Sequence, residues 1–404
     1  MNDKRILLAL VLLSACVPAS ASVAPMRHPI SREMMESFSA AGLNPELAVR
    51  LDSIVTAAIA DGAAPGASIA IGRNGHRAYL RGYGRLDWDS SAAMVNDSSI
   101  YDMASLTKVV ATTTALMILE ERGLLDVSRT VSSYLPELND SAKRGITVRQ
   151  LLTHRGGFEA FAALWKTLRG REQFLAAINS RPLANPPGTK TIYSDWDFIL
   201  LGLVVERITG ATLDAFVQDN VFNPLAMTTT RFRPPADWKP RIAWTEVDSA
   251  RGHIHGDVHD PNAFAMGGVA GHAGLFSSAR DLSVFAQMML NGGEINGVHL
   301  LKPTTIARWT ARQGPESSRA LGWDTPSNNS SAGHYFSPRS FGHTGYTGTS
   351  IWVDPEKQLY VILFTNRVDP TSANQKQAPL RRAVADAVQT AVLGAPIVDW
   401  ESKQ

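Results

Sequence analysis

The run Ser105-Leu106-Thr107-Lys108 places a hydroxyl and an amine at a spacing that could support acyl transfer. At the start of a helix, residues three apart lie on one face, so the two side chains can meet. A serine hydroxyl is a poor nucleophile until a base removes its proton, and a lysine can do so only if burial or neighbours depress its pKa. The uncharged residues around Lys108 fit such a setting. Taken alone, the run is more typical of a capping serine and a solvent-facing lysine.

Tyr193-Ser194-Asp195 lies between a Pro186-Pro187-Gly188 turn and an apolar segment, 197–208, that predicts a helix. A tyrosine near cations can act as a phenolate or relay a proton between a nucleophile and a leaving group. Without other support, the tripeptide is more typical of an aromatic residue at a turn.

His343-Thr344-Gly345 opens a glycine-rich strand over 342–348. Because glycine permits close approach, a substrate could lie along this backbone. The amide N–H groups of Ser105 and Tyr346 could together bind an oxyanion, a large contribution to catalysis in acyl transfer. The other interpretation is a strand loosened by glycine at a bend.

In this order, the three motifs resemble those of penicillin-binding proteins and class C β-lactamases, which run Ser-x-x-Lys, Tyr-x-Asn and Lys-Thr-Gly. Segments at 151–157, 187–189, 267–275 and 352–355 also look like the class C-related branch of that serine-reactive family. The resemblance implies that Ser105 is the nucleophile and Lys108 its base or hydrogen-bond partner. It also implies that Tyr193 relays a proton toward the leaving group.

The same resemblance implies that Asp195, His343, Thr344 and Gly345 bind substrate, and that the amides of Ser105 and Tyr346 form the oxyanion hole. Two positions depart from the family pattern, since His343 replaces a lysine and Asp195 replaces an asparagine. Histidine titrates near neutrality, and an ionised Asp195 could raise the pKa of Lys108 or His343. Both changes argue against efficient β-lactam hydrolysis. No cofactor and no metal is expected.

A competing pattern is His253-x-His255-x-Asp257-x-His259-Asp260, since clustered histidine and aspartate suit zinc. The run resembles the metallo-β-lactamase signature, but Val258 separates the aspartate from the following histidine. We therefore interpret it as a loop near the cleft. His154 and His272 are interpreted as structural hydrogen-bonding residues.

The predicted strands cluster near the two ends of the chain, and Asn74-Gly75 between two of them is a strong hairpin signal. The middle of the chain is mostly helical. We therefore predict an α/β (α+β) fold in which both chain ends form one antiparallel sheet, flanked by helices, with an inserted, mainly helical lobe. This domain is expected to span 44–396, after a linker over 22–43.

The first residues of the chain differ in kind from the rest. Lys4 and Arg5 precede an apolar run at 6–13 that is too short to span a bilayer. A charged start, a short apolar centre and a small-residue exit are typical of a secretory signal, predicted over 1–21. We expect an exported protein, either periplasmic or membrane-anchored.

Two exits from this signal remain open. Ala19-Ser20-Ala21 would suit cleavage before Ser22, whereas 13–16 resembles a lipoprotein box that would be lipidated at Cys16. Cys16 is the only cysteine, so the mature chain has no disulfide and no cysteine nucleophile.

The composition of the 404 residues, with 44% hydrophobic and 19% charged residues and a net charge of +2, is typical of a globular protein. No basic block suggests nucleic-acid binding. The expected substrates are a peptidoglycan stem peptide, an ester or a β-lactam. The expected functions are a D-Ala-D-Ala peptidase or β-lactamase-related hydrolase, a carboxylesterase of the same fold, or a non-catalytic envelope-binding protein.

Overall fold

The computed structural model describes residues 31–328, 330–397 and 399. The predicted signal (1–21), the lipoprotein box with Cys16 and the first part of the predicted linker lie outside the described residues.

The described chain contains short and long strands distributed between two lobes. The strands are β1 (Gly66–Arg73), β2 (His76–Gly84), β3 (Ile100–Asp102), β4 (Arg231–Phe232), β5 (Val247–Asp248), β6 (Gly252–His253), β7 (Leu275–Ser278), β8 (Glu294–Ile295), β9 (Val298–His299), β10 (Phe341–Thr344), β11 (Ser350–Asp354) and β12 (Leu359–Thr365).

Helices cover the sheet and build the second lobe. The α-helices are α1 (Arg32–Ala40), α2 (Leu47–Ala60), α3 (Thr114–Glu121), α4 (Val148–Leu152), α5 (Gly170–Ser180), α6 (Asp195–Thr209), α7 (Leu213–Val217), α8 (Pro261–Ala265), α9 (Ala279–Leu290), α10 (Pro303–Thr310) and α11 (Gln377–Thr390). Two π-helical stretches (Lys108–Thr113, Gln218–Phe222) and three 3₁₀ turns (Val131–Ser133, Leu164–Lys166, Ala236–Arg241) complete the helical structure. None of these helices is long and apolar enough to cross a bilayer.

The main sheet has the strand order β10-β11-β12-β1-β2, and every neighbouring pair is antiparallel. The β1–β2 hairpin turns at Asn74 and Gly75, whose φ angles of 54° and 81° are those of the two-residue hairpin that the sequence predicts. β1, near the start of the domain, pairs with β12, near its end, and Ala70 lies opposite Ile362. The predicted antiparallel sheet formed by both chain ends is confirmed.

Both faces of this sheet are covered. Side chains alternate along a strand, so Ile69 and Ile71 pack with the α1, α2 and α11 side chains, whereas Ala70 faces the core shared with the helical lobe. α9 packs against the second face of β1 and β12. Every residue of β1 and β12 is buried as a result.

The described part of the predicted linker, 31–43, differs from that prediction. Arg32–Ala40 is a helix capped by Ser31, whose hydroxyl accepts the Met34 N–H. Phe38 is completely buried and lies 5.8 Å from the Tyr79 ring. The burial of Phe38 shows that this segment belongs to the folded domain. Its helix is too short to show a clear apolar period in the sequence.

Candidate active site

Ser105 lies in a tight turn between β3 and the π-helical stretch that begins at Lys108. The helix begins at Leu106, directly after Ser105, and becomes π-helical at Lys108. Ala104, the preceding residue, has a φ of 44°, a left-handed conformation that is costly for a residue with a Cβ. The buried Asp102 carboxylate stabilises this turn by accepting the N–H groups of Ala104 (2.7 Å) and His259 (2.6 Å).

The Lys108 ammonium donates to Ser105 Oγ at 2.9 Å, to Asp195 Oδ1 at 2.8 Å and to the His272 carbonyl at 3.3 Å. Its side chain is fully buried, whereas Asp195 keeps 19% of its side-chain surface. Burial acts to lower the pKa of Lys108, but the negative charge of Asp195, followed by Tyr193, outweighs it and raises the pKa above its ordinary value. Lys108 is therefore a cation at neutral pH, and the depressed pKa required of a lysine base is not found.

The Tyr193 ring comes to the same point from the turn before α6. Lys108 Nζ lies 4.8 Å from the centre of this ring, and the imidazole of His154 packs on it at 4.5 Å. Ser105, Lys108 and Tyr193 are distant in sequence, yet their side chains meet in one crevice as the three-motif pattern requires.

His154 and Asp197 form a buried pair behind Tyr193. His154 Nδ1 lies 3.2 Å from the Ser194 amide nitrogen and 3.1 Å from Asp197 Oδ2. Burial raises the pKa of Asp197 well above its usual value and lowers the pKa of His154 well below its own. The pair is thus a neutral hydrogen bond, which fits the structural role predicted for His154.

His343 lies on β10 with its Nδ1 2.9 Å from the Thr344 carbonyl, while its buried Nε2 has no hydrogen-bond partner among the described residues. Burial lowers its pKa well below the ordinary value, and the charges of Arg319 and Lys108 lower it further. The imidazole is therefore neutral at neutral pH. The expectation of a cation that titrates near neutrality is wrong, because the charged form would be desolvated beside two other cations.

The turn after β10 contains Gly345 and Tyr346, and the N–H of Tyr346 is one of the two predicted oxyanion donors. Arg381, which is partly buried, donates to the Gly345 carbonyl at 2.7 Å, and Arg367 donates to the Tyr346 carbonyl at 2.8 Å. Within the described chain, the N–H groups of Ser105 and Tyr346 are bonded to no acceptor. Both N–H groups are thus available for an external oxygen.

These residues line one cavity of about 400 Å³, whose walls include Ser105, Tyr193, His343, Thr344, Gly345 and Tyr346. Three arginines, Arg319, Arg367 and Arg381, line it as well. Arg367 and Arg381 are occupied with backbone carbonyls, and burial, followed by the charge of Arg367, lowers the pKa of Arg381 to about 9.

Arg319 is different from the other two arginines. Among the described residues its guanidinium has no hydrogen-bond or ion-pair partner, and it packs 5.2 Å from the centre of the Tyr193 ring. Sequence reasoning missed this residue, because it lies in the irregular connection between α10 and β10 and belongs to no motif. Arg319 therefore places a cation in the cavity from a part of the chain outside the three motifs.

The histidine-rich run does not assemble around one point in the described structure. His255 bonds the Ile242 carbonyl at 3.1 Å, and His259 bonds Glu246 at 2.9 Å. Asp260 caps α8 and bonds His272 at 2.9 Å. Only His253 of its three histidines belongs to a group of side chains close enough to share a cation. The run thus separates into four local contacts around loops near the cleft.

A family model described as Beta-lactamase matches residues 51–386 of the chain. The chain belongs to the β-lactamase family. It is 34% identical to a protein of Escherichia coli strain K12 named "Putative D-alanyl-D-alanine carboxypeptidase", and the match covers 93% of this chain and 94% of that relative. The resemblance inferred from the three motifs is confirmed.

Solved structures agree with this family assignment at the level of the fold. A class C β-lactamase superposes with a TM-score of 0.71 at 19% identity, covering 87% of this chain and 98% of the other. EstCE1, a hydrolase with promiscuous acyltransferase activity, superposes with a TM-score of 0.69 at 22% identity, covering 85% of this chain and 98% of the other. The predicted fold class is confirmed, and the chain is a hydrolase-family member with the β-lactamase fold.

Proposed function

We propose that this protein is an exported serine hydrolase that forms an acyl-enzyme on Ser105 and removes the C-terminal residue from peptides ending in D-Ala-D-Ala. The observation that carries the proposal is the 2.9 Å contact between Lys108 Nζ and Ser105 Oγ in a cavity that also holds the unpartnered Arg319. The carboxypeptidase name of the similar E. coli protein agrees with this substrate class.

In acylation, Tyr193 acts as its phenolate and takes the proton of Ser105 while Oγ attacks the scissile carbonyl. The Lys108 cation stabilises both the forming alkoxide and the phenolate, because it contacts Oγ and lies against the ring. The N–H groups of Ser105 and Tyr346 bind the oxyanion of the tetrahedral intermediate. When the C–N bond breaks, Tyr193 returns the proton to the leaving amine.

Deacylation uses the same groups in reverse. Water adds to the acyl carbonyl and gives its proton to Tyr193. When the intermediate collapses, the proton returns to Ser105 Oγ and the shortened peptide leaves with a new carboxylate. Asp195 keeps Lys108 charged throughout both half-reactions, since it is the strongest influence raising the lysine pKa.

The free carboxylate of the substrate is assigned to Arg319, with the Thr344 hydroxyl as a neighbouring donor in the same cavity. A guanidinium suits carboxylates because its N–H groups match the two oxygens. His343 cannot provide that charge while it is neutral. The Arg319 guanidinium therefore provides the positive charge of the cavity, which favours a peptide with a free C-terminus over a neutral ester.

A carboxylesterase is the second candidate. The neutral His343 in place of the family lysine favours it, because an ester leaving group needs less stabilisation than an amine, and the fold is shared with EstCE1. β-Lactams are expected to acylate Ser105 slowly, as a side reaction. A non-catalytic envelope-binding role is the remaining alternative.

One substrate panel separates these functions. Wild type, Ser105→Ala and the control Ser180→Ala, which changes an exposed serine at the end of α5, are each given a D-Ala-D-Ala peptide, p-nitrophenyl esters and nitrocefin. We expect D-alanine release by wild type and Ser180→Ala, and none by Ser105→Ala. Turnover of esters alone would favour the esterase. Absence of turnover, with no mass increase after fluorophosphonate or penicillin treatment, would favour the binding protein.

Export is proposed from the N-terminal pattern alone. Mass spectrometry of the membrane fraction tests it, with Cys16→Ala as the comparison. A diacylglyceryl group on residue 16 supports a lipoprotein, an N-terminus at Ser22 supports ordinary cleavage, and an intact Met1 in the cytoplasmic fraction refutes export.

A further inference from the structure

Outside the catalytic cleft, two loops and the short strand β6 bring Asp87, Asp369 and His253 together. One ligand atom from each of these side chains lies within 4.8 Å of the other two. His253 Nε2 is 3.1 Å from Asp369 Oδ1, and His253 Nδ1 is 3.8 Å from Asp87 Oδ2. The imidazole therefore lies between two carboxylates that are 282 positions apart in sequence.

Asp369 is the most telling member of this cluster. It is only 1% exposed, and its Oδ2 has no hydrogen-bond partner in the described part of the chain. Its Oδ1 contacts His253, and no lysine or arginine of the described chain pairs with Asp369 or Asp87. Leaving a buried carboxylate oxygen unpaired is costly, so the cluster lacks positive charge.

We propose that Asp87, His253 and Asp369 bind a divalent transition-metal cation of the Zn²⁺ type. Two carboxylates and a neutral imidazole would balance the double charge of such an ion, and this mixed oxygen and nitrogen set suits Zn²⁺ better than Ca²⁺. Asp87 and His253 keep 16% and 30% of their side-chain surface, so an ion and its remaining water ligands have access from solvent.

A second group of the same composition shows what distinguishes this cluster. Asp195, Asp260 and His272 also bring ligand atoms within 4.8 Å of one another. There, however, the Lys108 ammonium lies 2.8 Å from Asp195 and provides the positive charge itself. Such a permanent internal cation excludes a metal ion, and no lysine or arginine of the described chain takes that place in the Asp87 cluster.

The position of the proposed ion indicates a structural role. Asn366, three residues before Asp369, donates to the carbonyls of Leu86 and Trp244, so the same three chain segments already meet there. Arg367 of this loop bonds the Tyr346 carbonyl at 2.8 Å. A bound cation would therefore join the segments that carry Asp87, His253 and Asp369. The last of these segments also contacts the turn that carries Tyr346, through Arg367. This inference does not depend on the proposed peptidase function.

The test uses the untagged protein, freed of metal with a chelator and returned to chelator-free buffer. Zn²⁺ is titrated by calorimetry and by thermal unfolding, and the metal content of untreated protein is measured by plasma mass spectrometry. We expect one Zn²⁺ per chain and a Tm higher by a few degrees at saturation, with Ca²⁺ at least tenfold weaker. Asp369→Asn and His253→Gln should each weaken Zn²⁺ binding at least tenfold.

His299→Gln is the matched control, because His299 also faces a carboxylate, Glu294, but is 75% exposed. It should bind Zn²⁺ as wild type does. If Asp369→Asn does not fold, the partly exposed Asp87→Asn replaces it. The proposal is overturned if wild type binds no Zn²⁺, which would leave a protonated His253 between the two aspartates, or if His253→Gln and Asp87→Asn bind it with unchanged affinity.

Discussion

Two clusters of the same composition, each with two aspartates and one histidine, have opposite electrostatic outcomes in this molecule. In the catalytic cluster (Asp195, Asp260 and His272), Asp195 is 2.8 Å from the ammonium of Lys108. In the loop cluster (Asp87, His253 and Asp369), no lysine or arginine of the described chain provides that charge. The comparison shows that two aspartates and a histidine do not by themselves define a metal site. The position of the nearest lysine or arginine decides whether the carboxylates pair with a side chain or are left for a metal ion.

The pKa values of Asp260 and Asp369, one aspartate from each cluster, differ in the same way. Burial acts to raise the pKa of Asp260, but the charge of His272 and its hydrogen bond outweigh it and lower the pKa to about 2. Asp369 is more deeply buried than Asp260, with 1% rather than 19% of its side-chain surface exposed, and burial followed by the charge of Asp87 raises its pKa to about 7. Asp260 is thus an anion at neutral pH, whereas Asp369 still requires a proton or an external cation.

The largest effect is expected from removing the Lys108 ammonium, the cation that distinguishes the catalytic cluster from the loop cluster. Lys108→Met should lower kcat/KM for a D-Ala-D-Ala peptide by about 10³-fold or more, because the alkoxide of Ser105 and the phenolate of Tyr193 both lose their counter-charge. Steady-state D-alanine release measures the effect. Lys143→Met, which removes another buried lysine near Asp140, should lower stability without this loss of activity. A Lys108→Met enzyme with nearly wild-type turnover would contradict the mechanism.

The second prediction concerns Arg319, the cavity cation without a carboxylate partner. Arg319→Gln should raise KM for the free-carboxylate peptide by roughly 10- to 100-fold, the value of one charge-assisted hydrogen bond, and leave p-nitrophenyl ester hydrolysis nearly unchanged. Arg339→Gln, an exposed position in the same connection, serves as the control. Equal losses on both substrates would assign Arg319 a structural role and remove the argument for a carboxylate-bearing substrate.

Stability at acidic pH gives a third prediction. Asp260→Asn keeps a side chain that can cap α8 but removes the negative charge that faces His272. Because the folded-state pKa of about 2 lies below the unfolded value of about 3.9, the charge contributes about 2–3 kcal/mol, present above pH 4–5 and lost as the pH falls toward 2. Urea unfolding of both proteins between pH 2 and 7 should show the two free energies converging at low pH. A constant difference would contradict the assignment.

The sequence predicts much of this architecture and part of the cleft. The Ser105–Lys108 spacing, the Asn74-Gly75 hairpin and the pairing of both chain ends are local or strongly patterned features, and the structure bears them out. Arg319 could not be predicted, because its connection has no periodicity and its role depends on where the loop folds.

The loop cluster was hidden from sequence reasoning for a related reason. Asp87 and Asp369 look like ordinary turn residues, and only the fold brings them to His253. His253 itself drew attention as part of the histidine-rich run, but its partners come from outside that run. Patterns in sequence report local geometry well, whereas a charge imbalance between distant loops appears only after folding.

The smallest effect, and the one that sharpens the comparison most, is expected from Asp195→Asn, which restores the residue found in the family motif. Asp195 is the largest influence raising the pKa of Lys108, so its removal should lower that pKa toward or below the ordinary value of about 10.4. The stabilisation that the raised pKa provides is fully present below that value and lost only as the pH rises through the folded-state pKa, so wild type should keep its activity to about pH 10.

Asp195→Asn should instead lose activity on the alkaline side from about pH 9, with a change of less than about tenfold at pH 7. A pH profile of kcat/KM from 6 to 11 measures both. The control is Asp140→Asn, which removes the carboxylate paired with Lys143 away from the cleft and should leave the profile unmoved. If the rate of Asp195→Asn rose with pH where wild type is flat, neutral Lys108 would be the active form and the lysine would act as the base, so the charge that distinguishes the catalytic cluster from the loop cluster would oppose catalysis.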